Sequence, residues 1–136
     1  MRYLTIIFAA LAIIGCSPAP PKPNQRTPSP SPSGKFVLTV PIEPDPSDRN
    51  LPFWRVTLSD TAGKQLYKDD SKFIGTLNVH WCWDSADRVW LYKSDDGAMY
   101  VWQIIDGQWQ RSPFTVAGSL KPPDELLPDY EWNRKK

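Results

Sequence analysis

Residues 77–111 read LNVHWCWDSADRVWLYKSDDGAMYVWQIIDGQWQR. Short runs rich in aromatic and β-branched residues alternate there with clusters of Asp, Ser and Gly, the composition of strands joined by tight turns. The expected strands are Leu77–Trp83, Arg88–Lys93, Ala98–Ile105 and Gln108–Arg111. Asp106-Gly107 sits between Ile105 and Gln108. It is the strongest hairpin signal in the chain, because both central residues of that two-residue turn need positive φ. Ser94-Asp95-Asp96-Gly97 reads as a longer turn ending in a left-handed glycine. Four consecutive strands with such connections make an antiparallel meander, similar in outline to one propeller blade. The chain is too short to close a propeller.

Pairing within the meander assigns faces. With Asp84–Asp87 and Ser94–Gly97 as four-residue loops, Trp83 lies opposite Arg88 and Lys93 opposite Ala98. Side chains alternate across a strand. One face then collects Leu77, Val79, Trp81, Trp83, Trp90, Tyr92, Met99 and Val101, and it reads as core. The other collects Asn78, His80, Cys82, Val89, Leu91, Tyr100, Trp102, Ile104 and Trp109, a mixture of rings, aliphatics and polar groups. A slip of one residue in either loop would exchange these memberships.

Working outward, further strands are expected at Lys35–Val40, Pro52–Ser59 and Lys64–Lys68, with another at Phe114–Ala117. Asp60-Thr61-Ala62-Gly63 is a turn of the same kind as Ser94–Gly97. Helical periodicity is nearly absent. The expectation is one small all-β domain over residues 35–120, an antiparallel sheet or meander arranged as a blade, a sandwich or a partly open barrel. Residues 121–136 read as a charged C-terminal tail with one helical turn at Pro122–Leu127, begun by proline at a helix start. Over residues 35–120 eleven acids face nine bases. Without a basic stripe, nucleic acid is not an expected partner.

Residues 17–34, SPAPPKPNQRTPSPSPSG, hold seven prolines and no large apolar side chain. Such a segment cannot bury enough surface to offset ordering entropy. The expectation for residues 16–34 is a Cys followed by an unfolded spacer biased toward polyproline II, with a reach of roughly 55 Å at about 3.1 Å per residue.

The first fifteen residues have the layout of an export signal, with Arg2 ahead of an uncharged run from Leu4 to Ile14. That run is about half the ~20 residues a membrane-spanning helix needs. It closes on Ile13-Ile14-Gly15-Cys16, which resembles the lipobox of bacterial lipoproteins. The resemblance covers residues 1–17 only. It implies cleavage before Cys16, lipidation of Cys16, and an exported protein held at the cell membrane or outer membrane by its lipid. Several acyl chains at about 0.8 kcal/mol per buried methylene make a firm anchor.

Seven tryptophans in 136 residues need an account. A core of few strands uses large rings to bury area, roughly 150–250 Å² apiece. An exposed platform for a sugar ring or a protein partner is the functional alternative, since rings give contact area at low entropic cost. Tyr100, Trp102 and Trp109, with His80 nearby, are the binding candidates on the mixed face. His80, Cys82 and Asp84 lie at alternate positions but lack the further ligands a zinc site requires, so neither metal nor cofactor is expected. Cys82 and His80 on one strand splay apart instead of aiming at one substrate atom. The acids at Asp84, Asp87, Asp95, Asp96 and Asp106 are turn residues first. No Gly-rich phosphate loop, HExxH or GxSxG occurs, and no catalytic residue is expected. The resulting expectation is a non-enzymatic lipoprotein module that binds an envelope protein or glycan. The alternative is an inhibitor or immunity-type lipoprotein that uses an acidic loop such as Asp95-Asp96-Gly97.

Overall fold

The computed structural model describes residues 28–45, 47, 51–74 and 79–126. In chain order the strands among them are β1 (Ser29–Pro30), β2 (Phe36–Thr39), β3 (Ile42–Glu43), β4 (Phe53–Trp54), β5 (Thr57–Asp60), β6 (Gln65–Lys68), β7 (Phe73–Ile74), β8 (Val79–Trp83), β9 (Val89–Lys93), β10 (Met99–Ile105) and β11 (Gln108–Pro113). The fold is all-β, as expected. It comprises three small antiparallel sheets in the orders β1-β2-β5-β6, β11-β10-β9-β8 and β3-β4-β7, none of them closed into a barrel.

The meander of β8 to β11 is present, and two of its three turns have the expected form. Asp106 and Gly107 take φ of 51° and 77°, the pair of positive values that a two-residue turn demands. Gly97 takes φ 71° and the Lys93 amide donates to the Ala98 carbonyl at 2.8 Å. The β8–β9 register differs from the expectation by one residue: Trp83 lies opposite Val89, not Arg88. The cause is Asp87, which adopts left-handed φ at 56°, a conformation Asp tolerates better than most residues. The loop thereby shortens to three residues closed by the Asp84–Arg88 pair, whose Asp84 amide donates to the Arg88 carbonyl at 2.9 Å. Asp84 locks it, its carboxylate accepting the Ala86 and Arg88 amides, the Arg88 Nε and the Trp90 indole N–H.

That single slip exchanges the faces of β8. Val79, Trp81 and Trp83 join Val89, Leu91, Tyr100, Trp102 and Trp109 on one side. His80 and Cys82 join Trp90, Tyr92, Met99 and Val101 on the other. Both sides are packed. The first meets Leu38, Val40, Trp54, Val56, Leu58 and Phe73 from the other two sheets. The second is covered by Phe114, Leu120 and Leu126. Strand β9 is therefore enclosed on both faces, which explains its unbroken run of buried residues from Val89 to Tyr92.

Domain boundaries move outward from those expected. Residues 28–34 belong to the fold: β1 pairs with β2, Ser31 is buried, and the Trp83 indole donates to the Ser29 carbonyl at 3.1 Å. Proline is accommodated there because β1 is an edge strand, where a missing N–H need not break a ladder. The rest of the expected spacer, residues 17–27, lies outside the described residues, as does the signal segment. At the other end Leu126 is fully buried against the meander, so residues 121–126 complete a core and do not form a tail. The expected helical turn is a plain turn at 124–126, with the Leu126 amide donating to the Pro123 carbonyl; Leu127 is outside the described residues. Phe114–Ala117 is not a strand. The expected strand Pro52–Ser59 splits at Arg55-Val56, with β4 joining β3 and β7 while β5 joins β2 and β6.

Candidate functional site

Where the β10–β11 hairpin runs past the strands that cover its base, apolar side chains come to the surface together. The Asp106-Gly107 turn sets Ile104 directly opposite Trp109. Ile104 is 48% exposed, whereas Trp102, one alternation back, is fully buried. From the facing sheet comes Leu66. The β5–β6 register shifts between Leu58 and Ser59, so Leu66 is the extra residue of a β-bulge. A bulge re-aims a side chain, and Leu66 ends 41% exposed. Phe36 closes the group, its ring edge-on to Trp109 with centroids 5.2 Å apart. Trp83 meets the other side of Trp109 at 6.4 Å.

Phe36, Leu66, Ile104 and Trp109 line an open cleft of about 450 Å³ with Tyr67 and Gln108. A second cleft of about 350 Å³ shares Phe36 and Ile104 and is edged by Lys35, Asp87 and Arg88. The result is an apolar ridge between two hollows, with charge on one flank.

Asp69 anchors the floor behind the cleft. It is fully buried, and each carboxylate oxygen accepts two hydrogen bonds. Oδ2 takes the Trp102 indole at 2.6 Å and the Tyr67 hydroxyl at 3.1 Å. Oδ1 takes the Ser71 amide at 2.7 Å and the Arg111 guanidinium at 3.0 Å. Arg111 also donates to the Ser71 hydroxyl, and Arg55 donates to the Asp69 carbonyl at 2.8 Å. A buried charge is tolerated when paired and hydrogen-bonded in this manner. The network ties β6, the 69–71 segment, β10 and β11 together, and so fixes the two walls of the cleft. Burial, and then the neighbouring Asp69 charge, push the Tyr67 hydroxyl up to about 12. Tyr67 therefore stays neutral and presents its ring.

The four residues expected to form an exposed platform do not share one. Trp102 is a core residue with its indole N–H spent on Asp69. Tyr100 is half-buried against Phe73, with the Arg111 guanidinium over its ring at 5.4 Å. His80 lies on the opposite face, its ring tilted over Tyr92 at 6.3 Å. The β8 register slip and the covering sheets together account for this correction. Trp109 alone stands at the cleft, half-buried. Cys82 is packed against the second core, and burial pushes its thiol up to about 12, helped by Glu125 and Asp84. Lys93 spans Asp95 and Asp96 at 3.9 and 2.7 Å, which offsets the acidity of that loop. Among the described residues no three His, Cys, Asp or Glu side chains converge as a metal site would need. Cys16 lies outside the described residues.

Sequence reasoning missed Phe36, Leu66 and Asp69 as parts of one constellation. Leu66 carries no signal, since a bulge cannot be read from an alternation pattern alone. Asp69 and Asp70 are indistinguishable in sequence, yet one is enclosed and the other exposed. Searches of family models, curated proteins and solved structures find no match to this chain.

Proposed function

We propose that this protein is a non-catalytic binding module tethered to a bacterial envelope membrane, with Cys16 as the lipidated residue and the cleft beside the β10–β11 hairpin as the contact surface. The carrying observation is the cluster of Leu66, Ile104 and Trp109 around one open cleft, with Leu66 and Ile104 41% and 48% exposed. Large apolar side chains gathered at a rigid concavity are what a protein or glycan contact surface uses. Rigidity comes from the Asp69 network, which lowers the ordering cost of binding. The partner class is an envelope protein or glycan. The acidic-loop reading, that of an inhibitor or immunity-type lipoprotein, is weaker, because Lys93 neutralises much of the Asp95-Asp96 pair.

Crosslinking in intact cells, comparing the parent chain with Leu66→Asp and Ile104→Asp, tests the proposal. Both positions are surface-exposed, so the variants should fold. The expected result is loss of crosslinked partners with unchanged membrane recovery. Retention of the same partners by both variants would overturn the cleft as the contact surface. Release of the protein by Cys16→Ser is the expected result for the anchor, and membrane retention of a matured Cys16→Ser chain would refute it.

A further inference from the structure

The two cores are closed in different ways. Strands of the other sheets cover the principal core. The second is covered by Phe114, Leu120 and Leu126, from a segment that contains no strand. The Phe114 amide, donating to the Met99 carbonyl at 2.8 Å, is the last backbone tie of that segment to the sheet among the described residues. Beyond that point the backbone bonds are internal: the Gly118 amide donates to the Thr115 carbonyl and the Leu126 amide to the Pro123 carbonyl. The Lys121–Asp124 ion pair is internal too. Residues 115–119 are all exposed, and burial resumes at Leu120, Pro122 and Leu126. Where the segment leaves the sheet it borders a hollow of about 90 Å³, lined by Val101, Ser112, Phe114, Thr115, Gly118 and Leu120.

Such a segment is ordered by a few apolar anchors and no ladder. Fixing its backbone costs entropy at every residue, while only the anchors gain by leaving water. The principal core does not depend on those anchors. No side chain belongs to both cores, and the hydrogen bonds of the Asp69 carboxylate come from outside residues 115–126. Regions with few buried contacts and exposed backbone open at free energies below that of the whole fold.

We propose that residues 115–126 form a latch, hinged at Phe114, which lifts off the meander as a unit while the three sheets stay folded. Lifting uncovers Trp90, Met99 and Val101, the apolar side chains of the second core. Wetting them opposes opening, so the closed form predominates. The latch follows from the layout of the second core and rests on neither the cleft nor the membrane anchor.

Two indole protons report on the two cores within one chain. Trp90 and Trp102 are both fully buried, one in each core. Each donates its N–H to a carboxylate, Trp90 to Asp84 at 2.8 Å and Trp102 to Asp69 at 2.6 Å. The test is hydrogen exchange of these indole protons, followed by NMR in the full parent chain and in Leu126→Ala, which removes the buried anchor of the latch. In the parent, Trp90 should exchange faster than Trp102. Leu126→Ala should speed Trp90 by at least about tenfold, as emptying a buried leucine site implies, and leave Trp102 within about twofold, as for an uncoupled site. Equal acceleration of both protons would show that the domain opens as one unit and overturn the proposal. An unchanged Trp90 rate would overturn it too, because that proton would then exchange without the latch. So would a Leu126→Ala chain that does not fold, since sheets that stand without the latch cannot need its anchor.

Discussion

Replacing Asp69 by Asn should cost the domain much of its stability, though the two side chains have nearly the same shape. An amide keeps one acceptor oxygen and substitutes two donors for the other. Turned one way, it points donors at the Ser71 amide and Arg111; turned the other, the Tyr67 hydroxyl can rotate to accept, but the Trp102 indole N–H faces a donor and Arg111 loses its charged partner. Hydrogen bonds to a charged group are worth about 1.5–3 kcal/mol each, so two such interactions lost or stripped of their charge amount to roughly 3–6 kcal/mol. The side chain of Arg111 is 30% exposed and water compensates it in part, which favours the lower half of that range. A loss of about 3–5 kcal/mol agrees with the usual consequence of removing one partner of a buried ion pair. Small domains hold about 5–15 kcal/mol in total. With urea slopes of about 1–3 kcal/mol per molar, the midpoint should fall by roughly 2 M at unchanged slope. Asp70→Asn is the internal control, because Asp70 is exposed and surface changes stay within about 0.5 kcal/mol. Urea titrations followed by tryptophan fluorescence read both. If Asp69→Asn and Asp70→Asn unfold at the same midpoint, the carboxylate does not hold the walls of the cleft together.

Trp102→Ala should lower the melting temperature far more than Trp109→Ala, since emptying a core ring site costs about 3–5 kcal/mol and Trp109 is half-buried at the surface cleft; thermal melts that rank them in reverse would refute the assignment of faces. Cys82 should resist alkylation at neutral pH in the folded domain and react on unfolding, because burial raises its thiol to about 12; mass spectrometry of native and urea-treated protein reads this. Tyr67 makes the fold sensitive to alkali. Its hydroxyl is raised from about 10 to about 12 in the folded state, so its contribution is complete below pH 10 and is lost as pH rises from 10 toward 12. Tyr67→Phe should flatten that decline in pH-dependent denaturation. At the acid end Asp84 acts in the opposite sense. Burial by itself would raise its carboxyl, but hydrogen bonds from Trp90, Arg88 and Ala86 outweigh burial and hold it below the ordinary value. Its contribution is present above the ordinary carboxylate range and is lost as pH falls through the lowered folded value, so Asp84→Asn should reduce the acid sensitivity of the melt.

Much of the fold was legible because turn chemistry is local. Asp106-Gly107 and Gly97 announced their conformations, and with them the registers of β9, β10 and β11. The β8–β9 register was not legible, because left-handed Asp87 is a choice Asp allows but does not dictate. One residue of loop length then carried Trp81 and Trp83 to the opposite face. The short strands β1, β3 and β7 escaped notice since two residues show no periodicity, and proline in Ser29–Pro30 argues against a strand unless the edge is known. Of the proposed contact surface only Trp109 was singled out in the sequence; Ile104 was placed on the same mixed face without a role. Leu66 and Phe36 come to it through sheet packing, and the enclosure of Asp69 by β6, β10 and β11 depends on contacts 33 and 42 residues away in the chain.

The principal core is shared between the two halves of the chain, with Leu38, Val56 and Leu58 from one and Trp81, Leu91 and Trp102 from the other. Its assembly has a timetable. As the chain is synthesised from the N-terminus, Leu38, Val56 and Leu58 lack Trp81, Leu91 and Trp102 to complete their core until residues 79–102 follow. The second core waits longer, for Leu126. Loop closure over such separations delays the gain from contact formation, and β-rich domains accordingly fold slowly, on the order of milliseconds to seconds. A chain whose core is completed only by its later strands stays threadable until they arrive. Under the export proposed above, that property would let the chain pass a narrow channel unfolded, with folding deferred to the far side.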